Sequence, residues 1–140
     1  MKIIAVGKIK KKYLLDGIEF YAKQISKLEI VEIRQSTTEK EGKDILDKIS
    51  NRDYVIALDI KGKKYDSESF SKKIEELKLN GEDIVFLIGG SHGLSDEVKR
   101  RANERLSFSD FTFPHELFRL MLVEQIYRAE SISQNKPYHK

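Results

Sequence analysis

Short apolar segments alternate with helix-like segments along the whole chain, and this alternation limits its possible folds more than any other feature. Residues 3–6, 54–58 and 83–88 are apolar runs with the length of strands. Runs with so few polar residues are typical of strands that are buried on both faces of a sheet. Strands that alternate with helices predict an α/β fold, a three-layer domain around a mostly parallel sheet.

Apolar residues three to four positions apart fill the stretches between these runs. Ser67 and Ser95 are predicted to begin helices, and Pro114 stands where a proline is tolerated, in the first turn of a long helix. Residues 28–33 alternate like a strand, and the polar residues 34–43 are predicted to form a loop. The predicted helices cover residues 13–25, 44–49, 67–77, 95–104 and 115–131, and residues 106–113 alternate apolar and small polar side chains.

Length and composition exclude several classes of protein. We expect residues 1–140 to form a single domain. The chain has no cysteine, which excludes a disulfide scaffold, thiolate zinc sites and iron–sulfur ligation. Its three histidines, at positions 92, 115 and 139, lack the spacing of metal ligands, so no metal site is expected. No apolar run approaches the roughly 20 residues that span a bilayer, and we expect a soluble, cytoplasmic protein without a membrane partner.

A basic cluster lies close to the first residue. The whole chain has a formal net charge of +3, which permits a nucleic-acid partner without requiring one. Lys8, Lys10, Lys11 and Lys12 are crowded into five positions. The cluster is either a solvated loop or a contact with nucleic-acid phosphates, and composition leaves both interpretations open.

The glycine-rich segment at residues 89–93, Gly-Gly-Ser-His-Gly, follows the most strand-like run in the chain. Such a turn lets a ligand approach the backbone closely. It lacks the spacing of dinucleotide-binding and triphosphate-binding loops, and a glycine-rich turn without a ligand is the alternative. Parallel sheets bind ligands beyond the carboxyl ends of their strands, so the site is expected in the loops after Leu58, Ile88 and Phe113.

The last helix and the residues after it carry an unusual set of polar side chains. Arg119 and Arg128 are nine positions apart, which places them on opposite sides of a helix. A phenol, an imidazole and a cation follow at Tyr138, His139 and Lys140, where a chain end is more often frayed than functional. The apolar residues of this helix cover too wide an arc for one sheet-facing stripe, which predicts a homodimer through it. These residues are Phe118, Leu120, Met121, Leu122, Val123, Ile126 and Tyr127.

Taken as a set, six segments resemble the bacterial ribosomal RNA large subunit methyltransferase H family of the SPOUT class, which methylates N3 of a pseudouridine with S-adenosyl-L-methionine. The resemblance covers the whole chain. It depends on residues 3–8 (IIAVGK), 58–63 (LDIKGK), 87–94 (LIGGSHGL), 106–115 (LSFSDFTFPH), 124–129 (EQIYRA) and 135–140 (NKPYHK).

The resemblance implies a deep trefoil knot in the C-terminal third and a cofactor held in the knotted loops. A valine at Gly89 is then expected to block cofactor binding while the fold survives. The residues implied as cofactor contacts are Leu58, Gly89, Phe108, Ser109, Asp110, Phe111, Thr112 and Phe113.

The resemblance also implies that the substrate is ribosomal RNA in the large subunit or the assembled ribosome. Imidazoles titrate near neutral pH, so His139 is the expected base and His115 its rival, with Tyr138 orienting the target base. Arg128 is placed in the active site, and a partner protomer is expected to hold the cofactor. The expected RNA contacts are Lys140, Arg119, Lys8, Lys10, Lys11 and Lys12.

Two alternatives and two departures from the family accompany this interpretation. The alternatives are a transfer-RNA methyltransferase of the same class, and an RNA-binding knot domain without catalysis. The chain's shortness disfavours the first, and the intact Gly89 and Gly90 disfavour the second. The departures are Lys140, where the family often has arginine, and a polar stretch at residues 34–43 that is shorter than usual.

Overall fold

A computed structural model describes all 140 residues of the chain. Five strands and five helices follow one another in strict alternation. Their bounds are β1 Lys2–Val6, α1 Lys12–Ala22, β2 Glu29–Ile33, α2 Thr38–Leu46, β3 Asp53–Lys64, α3 Ser67–Leu79, β4 Asp83–Ile88, α4 Asp96–Arg101, β5 Glu104–Ser107 and α5 His115–Ser133.

The five strands form one sheet in the order β2-β1-β4-β3-β5, and every neighbouring pair is parallel. One face of the sheet packs against α1, α3 and α5 through a core that includes Ile3, Phe86 and Ile126. The other face packs against α2 and α4 around Ile4 and Leu87. The predicted three-layer α/β domain is therefore confirmed, and its sheet is entirely parallel.

The edge strand β5 meets a β3 that runs well past the predicted end at Leu58. Leu58 and Lys63 both pair with Leu106, so residues 59–62 bulge out of β3. A Cβ at Gly62 would lie 2.6 Å from the carbonyl carbon of Arg105, which shows how closely the two backbones approach at the bulge. The bulge carries part of β3 over the carboxyl edge of the sheet.

Several helix boundaries differ from the sequence prediction, and hydrogen bonds explain two of them. The predicted loop at 34–43 is correct for residues 34–37 and wrong for residues 38–43, because α2 begins at Thr38, where the Thr37 side chain accepts a hydrogen bond from Lys40 N. Helix α4 ends at Arg101 instead of near residue 104, because Asn103 bonds to the Val55 backbone through its side-chain oxygen and its N–H. The first boundary is set by a local hydrogen bond and the second by hydrogen bonds to a distant strand, and apolar spacing could locate neither.

Helix α5 lies between α1 and α3 on one face of the sheet. Leu122, Val123 and Ile126 are completely buried within the protomer. Phe118, Leu120, Met121 and Tyr127 are only half-buried, although the neighbouring helices lie on both flanks of α5. The homodimer that the apolar arc predicts therefore stays a prediction. No helix of the chain has the length and hydropathy required to cross a membrane.

A side-chain clasp joins the end of β3 to the start of β5. The Tyr65 hydroxyl donates to one carboxylate oxygen of Glu104, and the Tyr54 hydroxyl lies 3.5 Å from the other. Burial, and then the hydrogen bond to Glu104, raises the pKa of Tyr65 above its ordinary value. The phenol therefore remains a donor at neutral pH and ties the edge strand to the sheet.

Tyr65→Phe should lower the free energy of unfolding by about 1–2 kcal/mol, because the Glu104 carboxylate loses its phenol donor. Urea denaturation followed by circular dichroism measures the change. Tyr13→Phe is the matched control, since the Tyr13 side chain is exposed. Equal free energies for the two variants would show that the clasp contributes nothing to stability.

Candidate functional site

A cavity of about 480 Å³ opens at the carboxyl edge of the sheet. Three connections enclose it: the bulge after Leu58, the glycine-rich loop after β4, and the segment from β5 into the start of α5. Its walls are formed by Leu58, Asp59, Ile60, Ile88, Gly89, Gly90, Ser91, Gly93, Leu106, Ser107, Phe108, Ser109, Phe111, Thr112, Phe113, Pro114, His115 and Phe118.

Seven of the eight residues predicted to contact the cofactor lie in this wall. They come from three separate segments, which the parallel sheet brings to one edge. Asp110 is the exception: its carboxylate is mostly exposed and pairs with Lys64 at 2.7 Å. The seven that share the cavity are Leu58, Gly89, Phe108, Ser109, Phe111, Thr112 and Phe113.

The glycine-rich loop closes tightly on itself. Gly93 N donates to the Gly90 carbonyl at 3.0 Å, and a Cβ at Gly89 would lie only 2.6 Å from the Gly93 carbonyl carbon. The expectation that the fold tolerates a valine at Gly89 is therefore wrong, because the clash is with the loop backbone as well as with any ligand. Glycine is required at position 89 so that two backbone segments can approach each other.

Asp59 and Ile60 line the cavity and were missed as site residues, although both belong to the 58–63 segment that carries the family resemblance. The Asp59 carboxylate lies 3.2 Å from Arg105 and 3.9 Å from Lys99, so two cations offset its charge. Ile60 is about half exposed at the cavity mouth. The strand-end position of this segment was the available signal for both.

Tyr138 and His139 pack against α5, so the alternative of a frayed tail does not hold for these two residues. The Tyr138 hydroxyl donates to Glu124 at 2.8 Å, and its ring centroid lies 4.7 Å from that of Tyr127. Burial, and then hydrogen bonds to Tyr21 and Glu124, raises the pKa of Tyr138 above its ordinary value. The Tyr138 phenol is thus held as a donor and is unsuited to accept a proton at neutral pH.

Arg128 joins the two ends of this tail cluster, which comprises Glu124, Arg128, Tyr138 and His139. Its guanidinium donates to Glu124 at 2.6 Å and lies 2.9 Å from His139 Nδ1. Arginine can only donate, so Nδ1 is the acceptor and the ring proton is on Nε2. The hydrogen bond to Glu124 raises the pKa of Arg128 above its ordinary value. Glu124, absent from the predicted set, is the acceptor on which the cluster depends.

The tail cluster and the cavity occupy different parts of the protomer. His115 lies in the cavity wall, whereas none of the four tail-cluster residues does. Arg128 follows His115 on α5 after a rise of about 20 Å along the helix. The predicted catalytic residues are therefore divided, with His115 near the cofactor cavity and Tyr138, His139 and Arg128 near the other end of α5.

Arg119 is not exposed to RNA in this protomer. Its side chain is 4% exposed, donating to Glu32 at 2.6 Å and to the Gly7 carbonyl at 2.9 Å. The predicted RNA contact at Arg119 is wrong, because its guanidinium ties the first turns of α5 to the ends of β1 and β2. The nine-residue spacing separates Arg119 from Arg128 around α5, but it could not reveal which side of the helix is buried.

The predicted basic cluster lies on the connection between β1 and α1. Lys8, Lys10 and Lys11 are exposed, whereas Lys12 pairs with Asp16 at 2.8 Å. The Lys10 N–H donates to Glu116 on the first turn of α5 at 2.9 Å. The lysines thus lie on a segment anchored next to His115 in the cavity wall. Lys140 is exposed at the end of the tail.

The fold and the cavity agree with one class of protein. A family model described as "Predicted SPOUT methyltransferase" matches residues 1–139, and the chain therefore belongs to the SPOUT methyltransferases. A solved structure of the SpoU methyltransferase AviRb from Streptomyces viridochromogenes, in complex with the cofactor AdoMet, superimposes with a TM-score of 0.55 at 11% identity. The match covers 95% of this chain and 58% of AviRb, and it supports the fold alone.

Curated relatives identify the particular family. Proteins named Ribosomal RNA large subunit methyltransferase H from Streptococcus thermophilus and Leuconostoc mesenteroides are 50% and 49% identical to this chain. Each alignment of 157 residues covers all of this chain and 99% of the relative. The chain belongs to the ribosomal RNA large subunit methyltransferase H family, and the resemblance seen in its motifs is confirmed.

The cavity fits the cofactor that the resemblance implies. Its volume lies within the range of small-molecule sites, and its walls combine apolar side chains with exposed glycine backbone. The aromatic residues Phe108, Phe113 and Phe118 suit the rings of an adenosine. Backbone groups near Gly89 and Gly90 can form hydrogen bonds with a polar part of the ligand. These residues would hold S-adenosyl-L-methionine.

Gly89→Ala should reduce the affinity for S-adenosyl-L-methionine by about tenfold or more and lower the melting temperature, because the new Cβ displaces the Gly93 backbone. Isothermal titration calorimetry and thermal denaturation measure the two effects. Gly81→Ala is the control: its positive φ strains the backbone of the variant, but a Cβ there meets no atom within 4 Å and Gly81 does not line the cavity. Unchanged affinity in the Gly89 variant would show that the cofactor does not bind in this cavity.

Proposed function

We propose that this chain transfers a methyl group from S-adenosyl-L-methionine to N3 of a pseudouridine in the ribosomal RNA of the large subunit. The observation that carries the proposal is the cavity itself, formed by Gly89, Gly90 and residues 106–118 in a chain that is similar along its full length to methyltransferases H. The proposal includes the cytoplasm as the place of action, and the trefoil knot that the family resemblance implies.

When bound, S-adenosyl-L-methionine supplies the electrophilic methyl group. The residues around the cavity have to hold that methyl group within reach of the attacking nitrogen and exclude competing water. Ile60 and Phe111, both exposed at the cavity mouth, offer an apolar rim where a nucleobase can enter. The cavity therefore supplies the donor side of the reaction, and the acceptor side has to approach over this rim.

The imide proton of the target nitrogen needs an acceptor, and two histidines are candidates. His139 is the preferred base; its Nδ1 lone pair is engaged by Arg128, so Arg128 has to turn away before that nitrogen accepts a proton. Glu124 gives the guanidinium a second anchor. His115 is the alternative base, since it already lines the cavity. Tyr138, which keeps its proton, orients the target base by donating a hydrogen bond or by stacking.

A complete active site requires two protomers in this proposal. The tail cluster lies too far along α5 to serve the cavity of its own protomer, so we infer that it serves the cavity of a partner. Tyr13 and Phe20 on α1 are exposed aromatic residues, and Tyr21, on the same helix, lies 3.2 Å from Tyr138 between the hydroxyl groups. A homodimer that covers these residues would place each tail cluster at the interface.

Deleting residues 138–140 should abolish methyl transfer to ribosomes while leaving S-adenosyl-L-methionine affinity within about twofold of wild type, because these residues do not line the cavity. Mass spectrometry of ribosomal RNA detects the product, and free transfer RNA serves as the alternative substrate. Lys136→Ala, which changes an exposed residue just before the tail cluster, is the control and should remain active. Wild-type activity of the deletion variant would show that the tail is not needed for catalysis and would make His115 the candidate base.

A mixture of two variants, assayed at an S-adenosyl-L-methionine concentration that leaves the Gly89→Ala cavity largely empty, tests the two-protomer site within the same experiment. The tail-deleted protein and the Gly89→Ala protein should regain activity when they are mixed and allowed to exchange subunits. Each mixed dimer then contains one intact cavity next to one intact tail cluster. If mixing restores no activity although light scattering shows mixed dimers, the cavity and the tail cluster do not form one shared site.

Replacing Lys10 and Lys11 by alanine should weaken ribosome binding and reduce the slope of log K against log salt by about two units, because each lysine that no longer neutralises a phosphate lowers the slope by about one. Filter binding at several salt concentrations measures the slope. Lys72→Ala, which removes an exposed lysine of α3 outside this segment, is the matched control. An unchanged slope in the double variant would show that Lys10 and Lys11 are exposed to solvent and do not contact phosphates.

A further inference from the structure

Glu41 is a buried carboxylate without a cationic partner. Its side chain lies on α2, the residue is 6% exposed, and Oε2 accepts a hydrogen bond from Ser36 N at 2.8 Å. None of the ion pairs of the chain includes Glu41. Burying a carboxylate is costly unless an opposite charge or several hydrogen bonds compensate it. One backbone N–H and no cation face the carboxylate, so part of that cost is uncompensated.

The Glu41 carboxylate lies directly behind the glycine-rich loop of the cavity. A Cβ at Gly90 would lie 3.5 Å from Glu41 Oε1, and Gly90 is part of the cavity wall. The next residue, Gly42, packs so closely that a Cβ there would lie 2.4 Å from Ser95 Oγ. Helix α2 therefore packs against Gly90 within the loop and against Ser95 just after it. Gly90 lies between the Glu41 carboxylate and the cavity.

The other charges in the cavity wall do not neutralise Glu41. Asp59 and His115 are the only ionisable side chains among the lining residues. Arg105 and Lys99 offset the charge of Asp59. Glu41 is thus the uncompensated negative charge on the glycine-loop side of the cavity, where it favours a ligand that carries positive charge.

We propose that Glu41 makes this site selective for the positively charged sulfonium of the methyl donor over the neutral thioether of the product. The proposal rests on the S-adenosyl-L-methionine-dependent function proposed above. Methyl transfer moves the methyl group to the acceptor and returns its bonding electron pair to sulfur, which removes one positive charge and leaves the other charged groups unchanged. S-adenosyl-L-homocysteine therefore keeps the ammonium and carboxylate groups of the donor but lacks the sulfonium charge, so the carboxylate attracts it less strongly and its release is favoured.

The size of the effect follows from electrostatics near a protein surface. Any two unit charges within about 10 Å of each other, at an effective dielectric constant near 20, interact strongly enough to change affinity by roughly tenfold. The open mouth of the cavity screens part of this attraction. We therefore expect a contribution of about five- to tenfold to the preference for the donor.

Glu41→Gln tests the proposal, because the amide keeps the shape and the acceptor for Ser36 N but removes the charge. Isothermal titration calorimetry with S-adenosyl-L-methionine and with S-adenosyl-L-homocysteine measures both affinities. The variant should bind the donor about five- to tenfold more weakly and the product within about twofold of wild type. Its melting temperature without ligand should equal or exceed that of wild type, since a buried uncompensated charge has been removed. Glu39→Gln, an exposed change on the same helix, should alter neither affinity.

Other outcomes would overturn the inference. Equal weakening of both ligands would show that Glu41 only supports the shape of the loop, and two unchanged affinities would show that its charge does not reach the cavity. If the wild-type protein bound neither ligand, the proposed function itself would fail, together with this inference. A loss of affinity confined to the donor is the result that supports a charge-selective role.

Discussion

The parallel direction of all five strands is the constraint on which the rest of this structure depends. Because every strand ends at the same edge of the sheet, the connections after β3, β4 and β5 meet there and enclose one cavity. The sheet is buried on both faces, so its side chains are engaged in packing and the chemistry is left to the connections. The bulge at residues 59–62 and the tight turn at Gly89 then shape the wall.

Helix α5 acts as the rigid spacer of the molecule. Its first turns are held at the cavity by Arg119, which bridges Glu32 and the Gly7 carbonyl, and by Glu116, which accepts from Lys10 N. Its second half carries the tail cluster around Arg128. Because a helix has a fixed rise per residue, the separation between cavity and tail cluster is a property of the backbone. That separation motivates the two-protomer site proposed above.

Buried charges in this protein are treated in two ways. Arg119 is almost fully buried and ties α5 to the sheet: a carboxylate and a carbonyl accept from its terminal nitrogens, whereas its Nε has no partner. Glu41 is nearly as well buried but has one backbone N–H as its partner, and it lies behind the loop that lines the cavity. The charge of Arg119 is offset by a carboxylate of the protein itself, whereas the charge of Glu41 favours a positive charge supplied by a ligand.

The sequence by itself determined the order of the elements and the edge at which the site lies. Apolar runs at residues 3–6, 54–58 and 83–88 revealed the buried strands, because strand burial follows from composition. The residues after the second and third of these runs line the cavity, because parallel pairing, which follows from alternation, brings them to one edge. Tertiary structure alone decided the rest. It buried Arg119, placed Asp110 outside the cavity wall, set Glu41 behind Gly90 and packed Tyr138 against Glu124. Each of these outcomes depends on contacts between residues far apart in the chain. The periodicity of one segment does not indicate which other segment will pack against it.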